Sequence, residues 1–227
     1  MGTEPALGHF TARPGRPGFV VAAPHGTSDV NTGEIAADVA TRSGFAVVIA
    51  TGFALEPDTR EGPGRRYQVN RPVEGVPGRP PSEERPTDGA RSVYEAYEAR
   101  VREVAQGAVR LYVEIHGNNH RDAAARIEIA TVGVDQELAL RVKALGELIR
   151  DATLRGHVDA PRLDILVEPA DTLRYNASGA KREGILRLPA HALHIELPRV
   201  ARTEWRGLYT AIVAELVAEA STLPGLQ

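Results

Sequence analysis

Two histidines, His25 and His116, each close a short apolar run and each stand before a glycine: Phe19-Val20-Val21-Ala22-Ala23-Pro24-His25-Gly26 and Leu111-Tyr112-Val113-Glu114-Ile115-His116-Gly117. Asp29 follows His25 by four positions, close enough for one loop to turn both side chains onto the same ion. Two imidazoles and a carboxylate leave a fourth coordination position for water, the layout of a catalytic zinc site. Zinc lowers the pKa of such a water to roughly 7, which makes hydroxide available at neutral pH. The bland alternative is that both histidines are hydrogen-bonded loop residues. Glycine beside a strand end makes a turn as readily as it admits a ligand.

A third group stands in His194-Ile195-Glu196-Leu197-Pro198. In an extended chain Leu193, Ile195 and Leu197 share one face, and His194 and Glu196 share the other. A carboxylate in so apolar a strand is costly unless it is paired or used. Used, Glu196 is a general base that takes a proton from water and hands it to a departing amine. Paired, its partners would be Arg199 or Arg202. His194 reads as a packing residue or as support for the site. In Asn70-Arg71-Pro72 the proline holds Arg71 extended. Its guanidinium fork can then grip a substrate carboxylate through two parallel hydrogen bonds. Its neighbours Arg65, Arg66 and Arg79 read as solvated surface.

The elements that must position these groups alternate between short apolar runs and longer amphipathic ones. Strands are expected at 19–23, 45–50, 111–116, 163–167 and 192–197, with a less buried one at 126–132. Helices are expected at about 32–43, ended by Gly44, and at 90–105, 135–152 and 204–220. Residues 56–89 dissolve into proline, glycine and arginine, a loop long enough to be functional or mobile. The alternation predicts one domain over 1–227, a three-layer α/β/α architecture with a mostly parallel mixed sheet. In such sheets ligands gather beyond the carboxyl ends of the strands, where His25 and His116 fall.

Composition narrows the chemistry. The 227 residues contain no cysteine, which excludes disulfides, thiolate metal sites and cysteine nucleophiles, so a metal must use His, Asp, Glu or water. A net charge of −3 argues against a broad basic surface for nucleic acid. No run approaches the roughly 18 apolar residues needed to span a membrane. The amino-terminal stretch lacks the apolar core of a secretion signal, so a cytoplasmic protein is expected.

Taken in order, four segments resemble the N-formylglutamate amidohydrolase family and, more distantly, the zinc carboxypeptidases. They are Ala23-Pro24-His25-Gly26, Arg66-Tyr67-Gln68-Val69-Asn70-Arg71-Pro72, Leu111 to Asn118, and His194-Ile195-Glu196-Leu197-Pro198-Arg199. The resemblance implies a phosphorylase/hydrolase-like fold, one Zn2+ per chain held by His25 and His116, carboxylate binding by Asn70 and Arg71, and Glu196 as general base. It implies an acidic third ligand as well. Asp29 with Thr32 is similar to the arrangement in phage-type poly-γ-glutamate hydrolases, whereas N-formylglutamate amidohydrolases would point to Glu34 or Asp38. Glu114 stands where the family carries an Asp before the central His. Tyr94 and Tyr97 resemble a tyrosine-bearing helix of the family, and Asn176 and Gly179 resemble its substrate loop.

The expected activity is zinc-dependent cleavage of an amide bond in a small N-acyl amino acid or peptide with a free carboxylate, γ-glutamyl or N-formylglutamate-like. The alternative is a non-catalytic protein binding metal or carboxylate on the same scaffold. No nucleic-acid or membrane partner is expected in either case.

Overall fold

The computed structural model describes residues 8–26, 28–57, 64–80 and 82–226. Its frame is a seven-stranded sheet of β1 (His9–Arg13), β2 (Arg16–Ala23), β3 (Phe45–Thr51), β6 (Leu111–Asn118), β7 (Arg126–Val132), β8 (Asp164–Val167) and β9 (His191–Pro198). Their order across the sheet is β1-β3-β2-β6-β9-β7-β8. β3, β2, β6 and β9 run parallel, β1 lies antiparallel on β3, and β7 antiparallel to β9 with β8 parallel beside it. Strands buried on both faces read as continuous apolar runs, which is why β2, β3, β6 and β9 were visible in the sequence.

The two faces are covered by different helices. Odd-numbered residues of the central strands, among them Val21, Val113, Ile115 and Ile195, pack under α1 (Thr32–Ser43), α3 (Gln136–Leu154) and α6 (Arg206–Ala220). Even-numbered residues such as Val20, Val48 and Tyr112 pack under α2 (Asp88–Ala105), with Ala180 of α4 (Ser178–Glu183) completing that layer. The result is the expected three-layer α/β/α arrangement with a mixed, mostly parallel sheet. Helix ends follow local chemistry. Thr87 accepts from Ala90 N at the start of α2, Asp135 accepts from Leu138 N at the start of α3, and Gly44 ends α1 with φ 73°.

Three features depart from expectation. β1 closes the edge of β3, although its mostly exposed residues carry no apolar signal. The described part of 56–89 is not a bare loop. It holds a small hairpin, β4 (Val73–Gly75) with β5 (Glu84–Pro86), in which buried Glu74 receives Arg65, Arg85 and Thr87. Arg65 is therefore an ion-pair residue and not solvated surface. β7 is fully buried over Ile127–Ala130. β8 covers its edge, and Glu128 on its polar face is capped by the backbone N–H groups of Arg174 and Tyr175.

Candidate metal centre

The site forms where β2, β6 and β9 end. After β2 the chain makes a tight turn, with Asp29 N donating to His25 O at 2.9 Å and Thr32 Oγ1 to Asp29 O at 2.7 Å. That turn swings the Asp29 carboxylate across to β6, where Oδ2 accepts from Gly117 N at 3.1 Å. Asp29 thus ties the end of one strand to the end of the next.

Beneath the turn lies Arg202, only 2% exposed. Its guanidinium donates to the carbonyl oxygens of Val30 (2.8 Å), Leu197 (3.1 Å) and Asn118 (3.1 Å), and to Asn119 Oδ1 (3.1 Å). One side chain therefore fastens the His25–Asp29 turn and the ends of β6 and β9. Gly117 makes room for it, since a Cβ there would stand 2.4 Å from Arg202 Cζ. Sequence reasoning offered Arg202 and Arg199 only as partners for Glu196. Among the described residues no ion pair joins either to Glu196, which meets His194 instead.

Asp29 Oδ2 lies 3.5 Å from His25 Nδ1 and 3.6 Å from His116 Nδ1. These separations exceed a normal hydrogen bond. They approximate the edge of a tetrahedron around zinc, about 3.3–3.5 Å for ligand bonds of about 2.0–2.1 Å. Each ring turns its other nitrogen outward to an acceptor: His25 Nε2 lies 3.3 Å from Gln68 O, and His116 Nε2 lies 3.3 Å from Glu114 Oε2. With an ion bound, a proton on each Nε2 would leave both Nδ1 lone pairs for the metal, the tautomer a metal ligand needs.

Burial opposes charge on both Asp29 and His116, yet their mutual contact prevails. His116 and His25 hold the Asp29 carboxyl well below the usual carboxylate range. The Asp29 and Glu114 carboxylates push His116 up to about 10.

Glu114, His116 and His194 form a second group of possible ligands, sharing His116 with the first. The glutamate is already saturated. Its Oε1 accepts from Tyr112 OH (3.0 Å) and Asn70 Nδ2 (3.3 Å), and its Oε2 meets His194 Nδ1 (2.8 Å) and His116 Nε2 (3.3 Å). A carboxylate has about four lone-pair sites, and all four are taken. Glu114 is 0% exposed, so an ion there would have no open face for substrate. The His25–Asp29–His116 set, by contrast, is only half-buried at its first two members and opens to a cavity.

That cavity, of about 310 Å³, is lined by His25, Asn70, Arg71, His116, His194 and Glu196, by Arg174 and Asn176 of the loop before α4, and by Gly179 of α4. Strand register brings Glu196 beside His116 and His194 beside Glu114. Asn70 directs Nδ2 at Glu114, leaving its buried Oδ1 without a partner. Arg71 is gripped by Glu84 through a fork, Nη1 to Oε2 at 2.6 Å and Nη2 to Oε1 at 2.7 Å. Gly179 keeps its place beside Arg71 because a Cβ would stand 2.8 Å from Nη1.

Other candidates lie elsewhere. Glu34, its side chain 66% exposed, pairs with Arg206, and Asp38 is exposed on the same helix, so Asp29 is the acid that reaches both histidines. Tyr97 is buried and hydrogen-bonds Tyr112 OH at 2.7 Å, which extends the Glu114 network, whereas Tyr94 pairs with Glu98 away from the cavity. Sequence reasoning missed Glu84, Arg174 and the stapling role of Arg202. No helix of the described residues is long and apolar enough to cross a membrane.

No family model matches the sequence, and no curated protein matches it either. Solved structures do resemble the fold. A bacteriophage poly-gamma-glutamate hydrolase superposes with a TM-score of 0.56 at 14% identity, covering 97% of this chain and 90% of that one. A structure described as zinc-free apo YndL gives 0.52 at 11% identity over 97% and 94% of the two chains. A metallo-carboxypeptidase from Pseudomonas aeruginosa gives 0.45 at 10% identity over 96% and 60%. At these identities the likeness is one of fold.

Proposed function

We propose that this protein is a zinc-dependent amide hydrolase acting on a small N-acyl amino acid or peptide with a free carboxylate. The observation that carries the reading is the trio of His25 Nδ1, Asp29 Oδ2 and His116 Nδ1. Its spacings of 3.5 and 3.6 Å suit an ion better than hydrogen bonds, and each ring has an acceptor behind it at Nε2, which leaves Nδ1 to face the ion. The fold likeness to a poly-gamma-glutamate hydrolase and to the zinc-free YndL structure supports it.

A divalent ion held by these three side chains would polarise a carbonyl and acidify a water. Zinc is favoured by the imidazole-rich donor set. Glu196, beside His116 in register, accepts the proton of the attacking water and delivers it to the departing nitrogen. His194 Nε2, 3.3 Å from Glu196 Oε1, steadies that carboxyl while it holds the proton, because Nδ1–H is already given to Glu114. Arg71 is held in place by Glu84, which takes one N–H from each Nη, and the Nε–H side of the guanidinium remains for a substrate carboxylate. Asn70 assists from the same wall of the cavity.

Glu196→Gln should keep its bound zinc and lose turnover, whereas His116→Ala should lose both. Zinc content per chain and hydrolysis of N-formyl and N-acetyl amino acids are the measurements. Stoichiometric zinc with no amide turnover across a broad panel would favour a binding protein instead.

A further inference from the structure

We infer that the acyl half of the substrate is apolar and larger than formyl or acetyl, and that it lodges in a second cavity that shares His25 as a wall with the cavity of the candidate centre. The inference rests on the hydrolase reading above and names the substrate class for it. The second cavity holds about 230 Å³ and is walled by Pro24, Ala50, Phe53, Tyr67 and Val69 together with His25. Phe53 is anchored by stacking on Phe10, ring centroids 4.8 Å apart. Ser28, Glu56 and Arg66 also line it; Glu56 Oε1 accepts from Arg65 Nε at 3.0 Å, and the Arg66 guanidinium donates to Gly64 O.

Direction follows from which residues border which space. His25 lines both cavities, while Glu196, His194, Asn70 and Arg71 line only the polar one. The proton carried by Glu196 must reach the leaving nitrogen, so the amine half and its carboxylate lie on the polar side. The acyl half then extends past His25 into the apolar cavity. An apolar cavity of about 150 Å³ accommodates a benzene ring, so this one admits a phenyl or a short branched or linear chain. A formyl group has no apolar surface to bury there. In the reaction water adds its oxygen to the acyl carbon and the C–N bond breaks. One proton goes to nitrogen, and the products are an apolar carboxylic acid and a free amino acid.

The test uses the zinc-loaded full chain and one amino acid carrying formyl, acetyl, butanoyl, hexanoyl, benzoyl or γ-glutamyl groups. Burial of each methylene should raise kcat/KM about four-fold, so butanoyl should exceed acetyl by about 10-fold or more. Ala54→Trp, at an exposed position on the wall of this cavity, should flatten that gradient. A best substrate of formyl or γ-glutamyl type, or no dependence on chain length, would overturn the inference and leave the hydrolase reading intact. If none of the compounds is cleaved, the hydrolase reading fails. The cavity is then judged by binding alone: hexanoate and benzoate should shift the NMR signals of Ala50 and Phe53 at concentrations where acetate does not. Equal binding of all three acids would sink it.

Discussion

The carboxylate of Glu114 stands behind His116, its Oε2 3.3 Å from Nε2, and so decides which nitrogen of that ring faces Asp29. The same oxygen meets His194 Nδ1 at 2.8 Å, while burial is outweighed by the two rings and the carboxyl stays well below its ordinary range. One buried charge thereby orients a candidate ligand on one side and the neighbour of Glu196 on the other.

Glu114→Gln should therefore weaken zinc binding by about 10- to 100-fold, the usual cost of losing a carboxylate behind a ligating histidine. It should also destabilise the metal-free fold by about 3 kcal/mol, because the side chain is fully buried and its amide would face four donors. A chelator competition and a urea melt measure the two effects. Unchanged zinc affinity would remove Glu114 from the metal centre.

The charge on His116 gives the metal-free and metal-loaded forms opposite pH dependence. Its pKa is raised from 6.5 to about 10, the Asp29 and Glu114 carboxylates overcoming burial. A raised folded-state pKa stabilises fully below the unfolded value, and that contribution is lost as pH rises through the folded one. The metal-free protein should thus lose stability as pH climbs from about 6.5 towards 10. A bound zinc would displace the His116 proton and acidify a water, so its affinity should rise about 10-fold per unit or more between pH 7 and 9, with at least about one proton released per ion. Calorimetry in two buffers of different ionisation heat counts that proton. A count of zero would contradict His116 as a ligand.

Much of this centre was legible because chemistry interrupts apolar runs. Glu114 and His116 in β6, and His194 and Glu196 in β9, stand out as polar residues on one face of strands otherwise buried on both. That β9 lies beside β6, which sets His116 next to Glu196, was not legible, since strand order is fixed by packing across the sheet and not by local pattern. Arg202 was equally hidden. It lies just past β9 yet serves the turn after β2, and nothing in its neighbours marks it. β1 and the β4–β5 hairpin escaped notice because edge strands of three to five residues carry too little alternation to read.

The packing of Arg202 against Gly117 predicts strong coupling. Arg202→Ala leaves the carbonyls of Val30, Leu197 and Asn118 without their donor and should cost about 3 kcal/mol. Gly117→Ala places a methyl 2.4 Å from Arg202 Cζ and should cost about 2 kcal/mol or more in the native background. Combined with Arg202→Ala, the same methyl should cost almost nothing further. A double-mutant cycle on denaturation energies reads this directly. Additive values would mean that Gly117 matters for some reason other than Arg202.

Arg71 offers the sharpest separation of binding from chemistry. Its fork to Glu84 at 2.6 and 2.7 Å fixes the guanidinium plane on the wall of the polar cavity, and Gly179 leaves the space it occupies. Lysine keeps the charge but neither the plane nor the paired donors. If the group grips a carboxylate remote from the scissile bond, it stabilises ground and transition states alike. Arg71→Lys should then raise KM about 10-fold or more and change kcat little. Gly179→Ala, which crowds Nη1, should move KM in the same direction. A fall in kcat at constant KM would instead place Arg71 at the reacting carbonyl, where its charge would serve the developing oxyanion.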